Sequence, residues 1–381
     1  THERGAAIFR PAVPKEREAM KAAVCHEFGA PLVIEEVVLR PPGPGEVQVR
    51  IEACAVCHSD ILYAEGGWGG HLPAVYGHEA AGRVMALGEG VRELAPGDKV
   101  LVTLMRACGR CRNCLLGRPY MCETAYDRAN GVLSLADGTV VEHGINTGAF
   151  AEEVVVHASQ IVPLPEDIAM DAACLLACGV ITGTGAVINT AQMPAGATAA
   201  VIGAGGVGLN TIQGCALAGA SRIIAIDLSE DKLKAAHEFG ATDGLRADSA
   251  GLRAAVLELT EGRGADYVYV TVGVISAYQG APDLLAKGGT LVMVGMPASG
   301  REMRFEPANV VAASQTFTGS NMGATVLKRD IPYLVDLYRQ GRLKLDELVT
   351  RRYPLDQINA AIADTKAGHA RRNVIVMGEG P

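Results

Sequence analysis

Four cysteines lie within one stretch of fifteen residues, a density that favours metal binding over catalysis. They are Cys108, Cys111, Cys114 and Cys122, in C-G-R-C-R-N-C-L-L-G-R-P-Y-M-C. Zn²⁺ takes four soft ligands in a tetrahedron, and two-residue gaps let the first three converge before the fourth completes the set. Because such a shell leaves no position for substrate, the cluster predicts a structural zinc. Disulfide pairing is the alternative that spacing alone does not exclude.

Three residues that are far apart in the sequence supply the ligand types of a second, open zinc site. They are Cys57 in C-H-S-D, His78 in G-H-E and Cys178 in A-C-G. Taken singly, a buried thiol or a core histidine is the commoner interpretation. Taken together, two thiolates and one imidazole are a set that catalytic zinc uses, with one position left for water or substrate. Cys54 and Cys174 are rival ligands, and strand alternation ranks Cys54 lower.

A glycine-rich loop predicts a dinucleotide site. The apolar strand 198–202 is followed by Gly203-Ala204-Gly205-Gly206-Val207-Gly208, then by an apolar helical stretch and a second strand, 222–226. In G-x-G-x-x-G the glycines allow the tight turn, the approach of a pyrophosphate, and close helix–strand packing. Asp227 ends the second strand, where a carboxylate accepts hydrogen bonds from a ribose diol and repels a 2′-phosphate. We therefore expect NAD(H) rather than NADP(H).

The elements that must position these residues follow two patterns. From about residue 20 to 168, short strands alternate with Pro/Gly turns, which predicts a β-rich domain. From about residue 180, strands alternate with helices, which predicts right-handed crossovers and a parallel sheet. After about residue 322 helical segments return, and 373–377 forms a last strand. These patterns separate an extension (1–19), a β-rich part and a dinucleotide-binding part.

Composition indicates a globular chain with large cores. The 381 residues are 49% hydrophobic and 20% charged, with a net charge of −8, and no basic cluster predicts nucleic-acid binding. Ten cysteines are too dilute for a disulfide scaffold, and charges interrupt the N-terminus, so we expect a reducing, cytoplasmic setting. Residues 172–221 lack charge and histidine, and we interpret them as an α/β interior rather than a membrane span.

These motifs together resemble the zinc-dependent medium-chain dehydrogenase/reductase family, specifically the zinc alcohol dehydrogenases, over about residues 20–377. The matching motifs, in order, are C-H-S-D, G-H-E-A-A-G, the four-cysteine lobe, C-G-V-I-T-G-T-G, G-A-G-G-V-G, D-L-S-E-D-K and R-R-N-V. The resemblance implies an α/β fold, with a GroES-like β-barrel catalytic domain that carries two zincs and a Rossmann doubly wound parallel-sheet domain that carries NAD. It also implies that the C-terminal segment returns to the first domain, so that the expected domains are the zinc-binding catalytic domain (20–179 and 323–381) and the NAD-binding domain (180–322).

The resemblance assigns roles to individual residues. Cys57, His78 and Cys178 would hold the catalytic zinc, Glu79 and Asp60 would lie behind them with Asp60 orienting His78, and Ser59 would hydrogen-bond the substrate oxygen. The residues that would contact the cofactor are Thr182, Val207 and Val294 at the nicotinamide, the loop glycines Gly203, Gly205, Gly206 and Gly208, Asp227 and Lys232 at the adenosine ribose, and Arg372 and His58 at the pyrophosphate.

The predicted chemistry is oxidation of an alcohol by hydride transfer to NAD, with zinc as the Lewis acid. Two positions depart from the family pattern. His58 stands where several members have arginine, which predicts weaker phosphate binding. Leu62 replaces the histidine through which many members pass the proton onward. Leu62, Leu104 and Met322 indicate an apolar pocket, and hence a primary or secondary alcohol with a hydrophobic or aryl group.

Three alternatives stay open at this point. A glutathione-type formaldehyde dehydrogenase would carry an arginine where this chain has Tyr126, although Arg128 is nearby. A nicotinoprotein alcohol dehydrogenase would retain its cofactor, and a non-catalytic NAD- and zinc-binding protein would lack turnover. We expect a small-molecule partner, no nucleic acid and no membrane. The long connection from Cys122 to Phe150 favours a homodimer, with a tetramer as the alternative.

Overall fold

The computed structural model describes residues 19–378, so that the predicted extension lies almost entirely outside the described residues. The first part of the chain is built of short strands with two small helices. They are β1 (Ala19–Cys25), β2 (Val33–Leu39), β3 (Glu46–Ala55), α1 (His58–Ala64), β4 (Ala74–Val75), β5 (Glu79–Leu87), β6 (Lys99–Thr103), α2 (Arg112–Leu115), β7 (Leu133–Leu135), β8 (Val140–His143), β9 (Glu153–His157) and β10 (Ile161–Pro163).

Helices and strands alternate in the second part. They are α3 (Met170–Ala173), α4 (Gly179–Gly185), β11 (Thr198–Ile202), α5 (Gly206–Leu217), β12 (Arg222–Asp227), α6 (Glu230–Glu238), β13 (Asp243–Arg246), α7 (Leu252–Leu259), β14 (Ala265–Val270), α8 (Ile275–Gly280), β15 (Leu285–Met293), α9 (Pro307–Ala312) and β16 (Thr316–Gly319). The chain closes with α10 (Leu327–Arg339), β17 (Val349–Pro354), α11 (Ile358–Lys366) and β18 (Arg372–Val376).

Three sheets organise these elements. A closed barrel has the strand order β1-β2-β7-β8-β4, and a second sheet has the order β10-β6-β5-β3-β18-β17, with β9 also paired to β3. The third sheet has the order β13-β12-β11-β14-β15-β16, and all of its pairs are parallel. The predicted fold class, a β-barrel domain with a Rossmann-type parallel sheet, is confirmed.

The parallel sheet is buried on both faces, which explains why its strands lack polar alternation. Ala199 and Val201 of β11 pack into one core, and Ala200 and Ile202 pack into another on the opposite face. A further core fills the barrel. Residues 172–187 are all buried, which agrees with their interpretation as an interior segment.

The described residues contain no single helix long and apolar enough to cross a membrane. A bent pair, Met170–Ala177 with Gly179–Ala191 at 52°, meets the criterion of length and composition.

The C-terminal strand joins the first part of the chain. β18 pairs antiparallel with β3, so that Val374 lies opposite Ala55, and it pairs parallel with β17. Near the predicted start of strand–helix alternation at about 180, the structure has α4 and a π-helical turn (186–191), which lead into β11. The other predicted domain limit falls in a short turn where Gly323 packs on Gly185 of α4. The chain passes between the barrel part and the parallel-sheet part at these two places, which are therefore adjacent.

Candidate functional site

The three predicted catalytic zinc ligands converge in the interior. Cys57 lies between β3 and α1, His78 directly precedes β5, and Cys178 directly precedes α4. One ligand atom from each of these residues, together with one from Glu79, lies within 4.8 Å of all the others, and the four residues are buried. The structure thus gathers side chains that are up to 121 positions apart (178 − 57) into one group of donors, which we call the donor cluster.

Asp60 fixes the orientation of the His78 ring. Its Oδ1 accepts hydrogen bonds from His78 Nδ1 at 2.8 Å and from the Gly77 backbone N–H at 2.9 Å, and its Oδ2 accepts from the Cys57 backbone N–H at 3.0 Å. Burial disfavours a charged His78, but Asp60 outweighs that effect and raises the imidazole pKa well above its ordinary value. Because Nδ1 is engaged, Nε2 is the nitrogen left to the donor cluster.

The two thiols of the donor cluster lie close enough to shift each other's pKa in opposite directions. Hydrogen bonding from Cys178 lowers the pKa of Cys57 well below its ordinary value, with further help from His78. The same contact and burial raise the pKa of Cys178. A divalent cation bound there would favour both thiolates, as metal binding does at cysteine sites generally.

Glu79 and Arg372 form a buried ion pair beside the donor cluster. Arg372 Nη2 contacts Glu79 Oε2, and the two side chains are 6% and 0% exposed. Burial raises the pKa of Glu79 to about 7, an effect that the guanidinium partly offsets. Glu79 is therefore both the partner of Arg372, through Oε2, and a member of the donor cluster.

The donor cluster fits a metal ion. His78 Nε2 and Glu79 Oε1 are buried without a hydrogen-bond partner among the described residues, which is costly unless another group meets them. Two sulfurs and one nitrogen suit zinc. The rival ligands lie outside the donor cluster: Cys54 Sγ faces the Ala55 carbonyl at 3.8 Å and Cys174 Sγ faces the Asp171 carbonyl at 3.2 Å.

The four-cysteine lobe also forms a ligand group. The four sulfurs lie within 4.8 Å of one another, and Cys111 Sγ is 4.0 Å from Cys122 Sγ. A ZnS₄ tetrahedron has sulfurs about 3.8 Å apart, whereas a disulfide needs about 2.05 Å. All ten cysteines are free thiols. Donation from Thr124 and from backbone N–H groups lowers the pKa of Cys108 to about 6, which favours a thiolate ligand.

The glycine loop forms an open cradle at the start of α5. Gly203 has φ +96°, and a Cβ there would lie 2.5 Å from Val272. A Cβ at Gly208 would lie 1.8 Å from the Gly203 carbonyl oxygen, so helix and strand meet at a distance that only glycine permits. Nothing lies within 4 Å of a Cβ built on Gly205, the residue that begins α5. The bare backbone and the helix N-terminus suit an anionic pyrophosphate.

Arg372 connects the cradle to the donor cluster. While its guanidinium pairs with Glu79, its Cδ lies only 2.6 Å from a Cβ built on Gly206. A dinucleotide in the cradle would therefore lie next to the donors.

Asp227 closes the cradle on its other side. Its Oδ2 accepts from the Ala204 backbone N–H at 2.7 Å and its Oδ1 accepts from the Ser229 backbone N–H at 3.0 Å. Arg246 of β13 lies opposite Asp227 in the strand register, but Asp248 holds its guanidinium at 2.7 Å and Glu230 lies 3.8 Å away. The charge of Arg246 is thus already neutralised.

Other predicted residues lie around the same cleft. Ser59 and His58 are the first residues of α1, and His58 lies close enough to Arg372 and Lys232 for both charges to act on its ring. Thr182 Oγ1 is 4.0 Å from Cys178 Sγ and 3.9 Å from Met322 Sδ.

The remaining predicted residues pack beside these groups. Val207 and Leu104 pack on the core that contains Val294, and Leu62 Cδ1 lies 2.4 Å from a Cβ built on Gly67.

Known proteins resemble this chain over nearly its full length. A structure titled an alcohol dehydrogenase zinc-binding domain protein from Burkholderia ambifaria is 34% identical, covers 96% of this chain and 100% of its own, and superposes with a TM-score of 0.91. The family models for an alcohol dehydrogenase GroES-like domain and a zinc-binding dehydrogenase match residues 43–166 and 206–340. The chain belongs to the zinc-dependent medium-chain dehydrogenase/reductase family.

Two further structures of similar proteins name a substrate and a cofactor. Benzyl alcohol dehydrogenase from Acinetobacter calcoaceticus is 30% identical, with 95% of this chain and 100% of that chain covered and a TM-score of 0.89. A putative zinc-binding dehydrogenase from Sinorhizobium meliloti 1021, described as bound to NADP, is 26% identical, with 94% and 100% covered and a TM-score of 0.81. The family thus supports a zinc-binding oxidoreductase with a nicotinamide cofactor.

Arg128, the residue that kept the formaldehyde dehydrogenase alternative open, is not a free cation in this family member. Arg128 is 3.2 Å from Glu142, whose side chain is 3% exposed. The Tyr126 hydroxyl contacts His143 Nδ1 at 3.2 Å, and Arg106 covers the Tyr126 ring at 4.1 Å from its centroid. These contacts disfavour a glutathione carboxylate as the partner of Arg128.

Sequence reasoning missed two features of the cleft. It assigned Arg372 to a phosphate and did not foresee its buried pairing with Glu79, 293 residues away. It also passed over Trp68, whose indole N–H donates to the Pro297 carbonyl at 3.1 Å. The only local signal was a tryptophan between two pairs of glycines.

Proposed function

We propose that this chain is a zinc-dependent, NAD-linked alcohol dehydrogenase that acts on primary or secondary alcohols with a hydrophobic or aryl group. The observation that carries the proposal is the buried donor cluster, in which the unpartnered His78 Nε2 lies with two sulfurs beside the glycine cradle. The likeness to benzyl alcohol dehydrogenase supports the substrate class.

The roles of the residues follow from their positions. Cys57, His78 and Cys178 would hold the catalytic zinc, and the lobe cysteines would hold a second one. When bound, zinc supplies a Lewis acid that lowers the pKa of an alcohol, and NAD supplies the hydride acceptor. Asp60 keeps the His78 ring in one orientation, and Arg372 restrains the Glu79 carboxylate.

Ser59 is the side chain placed to move the proton. It follows Cys57 by two residues on α1, so that its Oγ is the hydroxyl nearest in the chain to the donor cluster. In our proposal Oγ accepts the proton of the alcohol while it donates its own proton onward, so that Ser59 stays neutral. Leu62 cannot continue the transfer, so the proton leaves through water or through the cofactor hydroxyls.

NAD is favoured over NADP by charge. A 2′-phosphate beside Asp227 would meet a carboxylate, and the guanidinium of Arg246 is already held by Asp248. We also propose a homodimer and a cytoplasmic location.

An alcohol panel with NAD tests the proposal. Zinc-loaded protein should form NADH, followed at 340 nm, from benzyl alcohol and medium-chain alcohols without any added thiol. A requirement for glutathione would favour the formaldehyde dehydrogenase alternative. Turnover with an artificial acceptor but no exchange of bound cofactor would favour the nicotinoprotein, and no turnover with both zincs present would favour the non-catalytic protein.

A further inference from the structure

One hydrogen bond crosses the mouth of the cleft. The Nε1–H of Trp68 donates to the carbonyl of Pro297 at 3.1 Å, although the two residues are 229 positions apart. Trp68 follows α1 on the barrel side, and Pro297 follows β15 on the parallel-sheet side. Ligands of such sheets bind at the carboxyl ends of the strands, so the contact lies at the edge where a dinucleotide would enter.

The tryptophan is anchored to the barrel wall. Its ring meets Tyr63 of α1 edge to face, with centroids 5.1 Å apart, and Tyr63 stacks on Tyr76 at 6.1 Å. Tyr76 is 1% exposed, so this row of three rings, the aromatic column, extends from the cleft into the barrel core. Since α1 also carries Ser59, the aromatic column connects Trp68 to the helix of the proposed catalytic residue.

The hydrogen-bond acceptor, the Pro297 carbonyl, belongs to a segment that is fixed to the parallel sheet on the opposite wall of the cleft. The Val294 and Gly295 backbone N–H groups donate to the Val270 carbonyl at 3.0 and 2.9 Å, where β14 ends. A Cβ on Gly295 would lie 2.5 Å from the Val272 carbonyl carbon, so this backbone is tightly packed. The Pro297 carbonyl is therefore presented by a rigid edge of the parallel sheet.

The backbone around the tryptophan is suited to movement. Trp68 lies in G-G-W-G-G, and Gly66, Gly69 and Gly70 have φ values of +77°, +71° and +138°. Glycine reaches such angles without a steric penalty and moves readily among them. The ring is fixed by its contacts while its flanking backbone is permissive, so the hydrogen bond to Pro297 ties a permissive loop to the other wall.

We propose that Trp68 is a positioning residue that acts as a latch: its hydrogen bond to Pro297 holds the two walls of the cleft together and must break for the dinucleotide to leave. The contact between the two walls does not depend on which substrate the protein uses. Its effect on dinucleotide release rests on the proposed function.

Hydrogen–deuterium exchange of cofactor-free protein tests the latch directly. Trp68→Phe keeps an aromatic ring on Tyr63 but removes the N–H donor. Exchange should rise both in 66–72 and in the distant segment 294–299, whereas Tyr333→Phe, a matched change at an exposed ring away from the cleft, should alter neither segment. A rise confined to 66–72, or none, would overturn the latch even if the protein oxidised no alcohol.

The rate of dinucleotide release tests whether the hydrogen bond of Trp68 must break before the dinucleotide leaves. Displacement of bound NADH, or of NADPH if that is what binds, should be about fivefold faster in Trp68→Phe, the factor expected for one neutral hydrogen bond. The KM for alcohol should change less than this rate. An unchanged release rate together with faster exchange in both segments would show a structural contact without a role in release. If neither dinucleotide binds, the proposed function fails, and the exchange comparison alone still decides the latch.

Discussion

His58 borders the cofactor cleft as an imidazole where several family members have a guanidinium. Protein around the ring lowers its pKa, and the charges of Arg372 and Lys232 add to that effect, while Cys57 opposes it. At pH 7 the ring is therefore neutral. Because only the protonated form attracts a pyrophosphate, dinucleotide affinity should rise as pH falls through this lowered pKa.

Substitution of His58 by arginine should strengthen NADH binding. A permanent charge at this partly exposed position is worth about 1 kcal/mol, or roughly a fivefold lower Kd, and it should remove the pH dependence. Fluorescence titration of NADH at several pH values measures both effects. His26→Arg is the control, since it adds the same charge to an exposed histidine paired with Glu35. An unchanged Kd for His58→Arg would refute the assignment of His58 to the phosphates.

Asp227 is expected to set the choice of dinucleotide. Asp227→Asn keeps an oxygen acceptor for the Ala204 or Ser229 N–H but removes the negative charge. The ratio of kcat/KM for NADP to that for NAD should rise at least about tenfold, or about 1.4 kcal/mol. Asp231→Asn, at a carboxylate that is 93% exposed, should leave the ratio unchanged. Steady-state kinetics with both cofactors would contradict the account if Asp227→Asn behaved like the control.

Among the elements, helix α1 carries the carboxylate that hydrogen-bonds to the residues of the donor cluster. Asp60, near the start of this helix, bonds the Cys57 N–H in the cap and also holds the Gly77 N–H and the His78 ring. A single carboxylate thereby fixes two of the proposed zinc ligands.

Asp60→Asn should therefore weaken zinc binding at the donor cluster. An amide offers one acceptor oxygen in place of two, and loss of a carboxylate behind a histidine ligand costs about 10- to 100-fold in metal affinity. Competition with a chromophoric chelator measures the affinity, and the lobe zinc serves as an internal reference because its cysteines form a separate group. Equal loss of both zincs would indicate general unfolding instead.

The sequence was most informative where an element is specified locally. The lobe cysteines and the glycine loop act over short spacings, so their geometry follows from the local chain. The predicted strand 198–202 matches β11, whereas α4 was not foreseen, because it is as apolar as a buried strand and periodicity does not separate the two. Contacts such as Arg372–Glu79 and Trp68–Pro297 were not predictable, because they depend on how distant elements are placed.

At the scale of the molecule, β18 returns the C-terminus to β3 and brings Arg372 between the donor cluster and the cradle. The chain crosses between the barrel side and the parallel sheet at α4 and again near Gly323, and these crossings touch. These crossings lie at one place, and our proposal has the cleft open about them. The latch at Trp68 lies on that opening side in our proposal.

In our proposal Cys178, and not its buried neighbour Cys174, completes an open zinc site at which alcohols are oxidised. The most direct measurement is zinc content together with NAD-linked benzyl alcohol oxidation in Cys178→Ser and Cys174→Ser, two identical changes at buried thiols. We expect Cys178→Ser to fall from two zincs per chain to one and to lose at least about 1,000-fold in kcat/KM, roughly 4 kcal/mol, while Cys174→Ser keeps both. Full zinc content and activity in Cys178→Ser would contradict the account.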